Sequence, residues 1–99
     1  MNTYRKYINS IKEEIDSALD YAEKSVMFKN KRPEFSKWYH DMAMDELRHA
    51  ENLKNIGQTM MDENPVSEAC QKAWMKTITD MAAKTSTIKA MLIPSASII

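Results

Sequence analysis

Met44-Asp45-Glu46-Leu47-Arg48-His49-Ala50-Glu51-Asn52-Leu53 carries an acid and an imidazole three residues apart inside an apolar repeat. Followed outward, that repeat is Phe35, Trp38, Met42, Glu46, His49, Leu53, Ile56 and Met60, spaced by threes and fours. At 100° per residue the eight positions share about 80° of arc, the stripe a helix turns toward a core. The reading therefore puts Glu46 and His49 on an inward face. A charge buried there costs several kcal/mol unless it is paired, protonated or bound to a cation. The i, i+3 spacing lets a Glu oxygen and a His ring nitrogen converge above the helix. One carboxylate and one imidazole suit iron, manganese or zinc better than calcium, which prefers oxygen.

The flanking segments predict two more helices. Upstream, Tyr4, Ile8, Ile11, Ile15, Ala18, Leu19, Ala22 and Val26 form a continuous stripe, predicting a helix over 3–28 with Thr3 as its cap. Lys29-Asn30-Lys31-Arg32 reads as a solvated loop. Pro33 is tolerated in a first helical turn, and the central helix is expected over 34–61. Asn64-Pro65 reads as a cap followed by proline at the first helical position, opening a third helix over 65–93 that Pro94 stops. Its stripe is Val66, Cys70, Trp74, Thr77, Met81, Ile88 and Leu92, interrupted at Lys84 and Thr85, and its Thr-rich second half is a weaker helix former. The short connection makes the first two helices an antiparallel hairpin with apolar faces opposed. The expected fold is all-α, a hairpin plus a third helix in one domain over 1–99. Residues 94–99 form a tail whose Ile98-Ile99 pair suits docking on a partner.

Composition agrees. The 99 residues include one Gly, three Pro and nine Met, a helix-favouring mixture. Fourteen acidic and fourteen basic residues leave no net field to attract nucleic acid or an anionic membrane. The single cysteine, Cys70, cannot form an internal disulfide and reads as an inert apolar residue. The first residues lack the apolar run of a secretory or membrane-spanning segment, so the expected location is cytoplasmic. Trp38 and Trp74 are expected as core anchors, the methionines as packing residues, and His40 as a surface or interface residue.

On the first helix most acids point to solvent by phase, Glu13, Asp16, Asp20 and Glu23 among them. Glu14 lies on the flank of the stripe, and Tyr21 shares that flank seven residues on. A phenol there can hydrogen-bond a ligating carboxylate and hold it still.

Glu14-x6-Tyr21, followed by Glu46-Leu47-Arg48-His49, resembles the first half of a ferritin-like di-iron protein, the superfamily of ferritins, bacterioferritins and rubrerythrins. The resemblance covers about residues 4–60 and leaves the third helix outside. It implies Glu14 as a terminal ligand, Glu46 as the metal-bridging carboxylate, His49 as the nitrogen ligand and Tyr21 as the nearby phenol. Such proteins carry a second Glu helix and a second Glu-x-x-His helix, which this chain lacks; Glu68 and Asp80 lie off the third helix's stripe. Three ligands are too few for two metals. The resemblance is closest to the short encapsulated ferritins, and implies a four-helix bundle completed by dimerisation, with two copies each of Glu14, Glu46 and His49 around the metals.

The implied function is a ferroxidase or related oxidoreductase with two Fe per homodimer, or per dimer unit of a larger even-numbered oligomer; manganese accepts the same ligands. Mineral storage would need a shell protein as container, placing the chain inside a protein compartment. The alternative class is a non-catalytic dimerisation scaffold that keeps the hairpin, with Glu46 and His49 as a buried polar pair. Their retention argues against it, because Leu or Met would pack there at lower cost. A regulatory, antitoxin-like bundle has no DNA-reading motif in its support.

Overall fold

A computed structural model describes residues 2–93 as three helices, α1 (Asn2–Phe28), α2 (Pro33–Glu63) and α3 (Glu68–Met91). The expectations for Pro94 and for Ile98-Ile99 lie outside the described residues. Thr3 lies inside α1 and does not cap it. Pro33 opens α2 as expected, with the Phe35 and Ser36 amides donating to the Arg32 carbonyl at 3.0 Å. The junction between α2 and α3 differs from the expectation. Asn64 closes α2, its backbone extended as the residue before a proline must be, and its amide donates to Met60 O at 3.0 Å. Ser67 caps α3 instead, its Oγ accepting the Cys70 amide at 3.1 Å.

α1 and α2 form the antiparallel hairpin, but not through the face of α2 expected from its large apolar residues. The residues buried on α2 are Ala43, Leu47, Ala50 and Gly57, each one position after a member of the expected stripe. The face is thus rotated by one residue, about 100°. Ala18 and Ala22 of α1 and Ala43 and Ala50 of α2 have no exposed surface. Small side chains let two backbones approach closely, and that contact outcompetes bulk. At the loop end the two helices are cross-linked. The Ser25 hydroxyl donates to Ser36 O at 2.8 Å, and the Ser36 hydroxyl donates to Ser25 O at 2.6 Å. Ser25, rather than the expected Val26, takes the last inward position of α1.

Trp38 is 58% exposed, Met42 40% and Ile56 48%, which corrects their assignment to the core. Trp74 is a core anchor as expected. Its ring lies over Gly57, where a Cβ would come within 2.8 Å of Cζ2, and its indole N–H donates to Gln58 Oε1 at 2.9 Å. Tyr4 meets the same ring edge-on at 6.3 Å. Cys70, Trp74, Thr77, Met81, Ile88 and Leu92 are all buried, so the stripe read for α3 holds within the helix and its cap. Val66 is half-buried ahead of the helix.

α3 packs chiefly on α1 and leaves one side of the hairpin uncovered. It lies along Ile11, Lys12, Ile15 and Leu19 of α1 and beside Glu51, Lys54 and Gln58 of α2. No helix among the described residues is long and apolar enough to cross a membrane.

Candidate metal centre

The uncovered side of the hairpin carries the polar cluster. By helical phase Glu14 lies about 70° from the centre of the α1 core stripe, on the flank away from α3. On α2 the one-residue rotation moves Glu46 to the boundary between the buried face and the outer stripe, and moves His49 onto the outer stripe. The antiparallel register set by Ser25 and Ser36 then brings Glu14 level with Glu46 and His49. One ligand atom from each of the three lies within 4.8 Å of the others.

His49 Nδ1 is 3.5 Å from Glu14 Oε2 and 3.5 Å from Glu46 Oε1. Those separations are long for hydrogen bonds. Donors about 2.0–2.2 Å from a common ion lie roughly 3–3.5 Å apart, so the spacing is that of groups arranged around a cation. Burial is uneven. The Glu14 and Glu46 side chains are mostly covered, whereas the His49 side chain is 48% exposed. The expectation of a fully inward histidine is therefore corrected: the site opens outward through the imidazole, for the same reason that Trp38 and Met42 are exposed.

Two features show that the cluster is not self-satisfied. Glu14 Oε2 is buried and has no hydrogen-bond partner. A buried acceptor left unpaired costs about 1–3 kcal/mol, more when charged, and a cation would remove that cost. The Glu46 carboxyl is held above the ordinary carboxylate range, chiefly by the neighbouring Glu14 carboxyl and then by partial burial; the His49 imidazole works the other way. Adjacent carboxylates resist joint ionisation unless a positive charge is added. The donor set and the spacing both fit a transition metal such as iron.

A family model described as rubrerythrin matches residues 8–93. The chain belongs to the rubrerythrin family. Membership places it in the ferritin-like di-iron superfamily and makes the all-α, three-helix fold an expected one. The match runs through α3, whereas the resemblance read from the sequence stopped near residue 60, because α3 has no ligand motif to carry it. No curated protein and no solved structure matches the chain.

Within this rubrerythrin-family chain, Tyr21 is half-buried on the Glu14 flank and stacks on Tyr39 at 6.1 Å. Sequence reasoning missed Tyr39. The signal was the register: pairing Ser25 with Ser36 sets position 21 opposite position 40, within one residue of Tyr39. Glu13, Asp16, Asp20 and Glu23 are exposed, as are Glu68 and Asp80. His40 is half-buried beside Asp41, its Nδ1 3.2 Å from the carboxylate, and takes no part in the cluster. Cys70 is free and buried.

Proposed function

We propose that this rubrerythrin-family chain is a ferroxidase whose di-iron centre forms where two copies meet, each contributing Glu14, Glu46 and His49. The observation that carries the reading is the convergence of three donors around the unpaired Glu14 Oε2. One chain offers three donors, and two metals need about twice as many. A two-fold axis through the open side doubles the set. The same side supports a dimer independently, because the half-exposed Trp38, Met42 and Ile56 flank His49 along α2 and form an apolar seam beside the ligands.

In this reading Glu14 would be the terminal ligand and Glu46 the shared carboxylate, and their charges would offset that of the cations. His49 would hold a metal through Nδ1, the nitrogen facing both acids. Tyr21, on the same flank of α1 as Glu14 and stacked on Tyr39, is the phenol proposed to steady a ligating carboxylate. When bound, the metal pair would supply two electrons, one from each metal, to reduce dioxygen or peroxide. Iron is the proposed metal at two per dimer, with manganese the chemical alternative. A shell protein is proposed as the container for mineral, with the chain housed inside it in the cytoplasm.

Aerobic addition of Fe(II) to the purified protein should give a fast near-ultraviolet absorbance rise in the wild type. That rise should be absent in Glu46→Ala and His49→Ala. Equal slow rises in all three would leave a non-catalytic helical scaffold as the function.

A further inference from the structure

The end of the bundle at the hairpin loop carries a groove that has no role in the metal reading. Its volume is about 460 Å³, and Val26, Pro33, Met91, Leu92 and Ile93 supply its apolar lining beside polar residues that include Lys29, Lys37 and Asp41. Val26 and Ile93 are about half exposed there, an unusual outlay of apolar surface for two helix ends. The last described residues of α3 form part of the groove, so the chain continues from its wall. α3 ends at Met91 with Leu92 as its cap, and six residues of sequence follow Ile93. Residues 94–99, Pro-Ser-Ala-Ser-Ile-Ile, span up to about 20 Å when extended. The bundle is only 22 × 17 Å in cross-section, so Ile98 and Ile99 can reach Val26 and Pro33 from Ile93.

We infer that the groove is the docking site of this chain's own segment 94–99, with Ile98 and Ile99 seated against Val26 and Pro33. Effective concentration decides between this occupant and a partner. A tether of four residues between Ile93 and Ile98 holds the isoleucines at millimolar effective concentration, well above that of a separate protein present at micromolar levels. The polar Ser95-Ala96-Ser97 stretch meets the polar residues, and the apolar pair meets the apolar lining. The docked segment is thereby withheld from other proteins. Any shell or partner that reads Ile98-Ile99 must first compete it out of the groove.

The test is disulfide trapping in a Cys70→Ser background, using the full chain. Val26→Cys with Ile98→Cys should form an intramolecular bridge, a monomer of shifted mobility on a non-reducing gel. It should form at least about tenfold faster than a control pair of Met44→Cys with Ile98→Cys, since Met44 is exposed on α2 away from the groove. Equal rates for the two pairs, or a Val26-to-Ile98 bridge found only in covalent dimers, would overturn the inference. The dimer result would assign the groove to a neighbouring copy. Hydrogen exchange gives a second reading that needs no cysteine. Ending the chain after Ile93 should speed exchange in residues 25–28 and 88–93 and leave residues 11–22 unchanged; unaltered exchange at both helix ends would also overturn it.

Discussion

The two long faces of α2 differ in what they ask of their side chains. The inner face, Ala43, Leu47, Ala50 and Gly57, has little bulk and no charge, and it is completely or nearly covered by α1 and by the Trp74 ring. The outer stripe, Trp38, Met42, His49 and Ile56, has most of the helix's bulk and remains half open. Small residues secure the fold because they allow close backbone approach. Large residues beside unsatisfied ligands remain available for assembly. Glu46 sits at the boundary, and that is how one helix serves both ends.

The inner face should be the more costly to disturb. Trp74→Ala removes the ring that fills the space over Gly57 and its hydrogen bond to Gln58, and should destabilise the chain by roughly 3–5 kcal/mol in chemical denaturation. Gly57→Ala should cost about 1–3 kcal/mol by overpacking against the same ring. A neutral effect of both would show that α3 does not need α2, and the contrast between the faces would lose one side.

Much of this was legible in the sequence, and the errors share one cause. Three helices, the hairpin, the Pro33 start and the inward stripes of α1 and α3 follow from periodicity, because there the large apolar residues are also the buried ones. On α2 they are not. Counting bulky residues selects Trp38, Met42 and Ile56, whereas close packing selects alanines and glycine, which hydropathy hardly marks. Glu14, Glu46 and His49 were nevertheless found together, since the i, i+3 spacing of Glu46 and His49 survives a rotation of α2 and Glu14 came from its flank of α1 and from the resemblance. The expected burial of His49 did not survive that rotation. The caps failed because the helix starts moved: α1 already begins at Asn2, and α3 begins at Glu68, which leaves Asn64 to close α2 and Ser67 to cap α3.

At the boundary the prediction concerns pH. The Glu46 carboxyl is raised in the folded chain, chiefly by Glu14, so the fold favours its protonated form. The corresponding stability is fully present below the ordinary carboxylate range and is lost as pH rises through the raised value. With metal chelated, Glu46→Gln should therefore raise the melting temperature at neutral pH, and the gain should shrink toward zero as pH falls through the carboxylate range. Paired melts of wild type and variant across that range check it, and a lower melting temperature for the variant at neutral pH would contradict the shift.

The outer stripe should give the smallest effect on folding. Trp38→Ser and Ile56→Ser are surface changes within one chain and should move its unfolding free energy by no more than about 0.5 kcal/mol. In sedimentation they should shift the protein from dimer toward monomer. Loss of folding stability without loss of dimer would mean that the stripe is packed inside the chain after all.

The central claim is that two hairpins pool Glu14, Glu46 and His49 around a shared metal pair. The most direct test is metal content measured on the size-resolved protein after loading with Fe(II). The account predicts about two metals in each dimer and close to none in monomer, with both values near zero in His49→Ala. One tightly held metal per monomer, or a dimer that binds none, would contradict it.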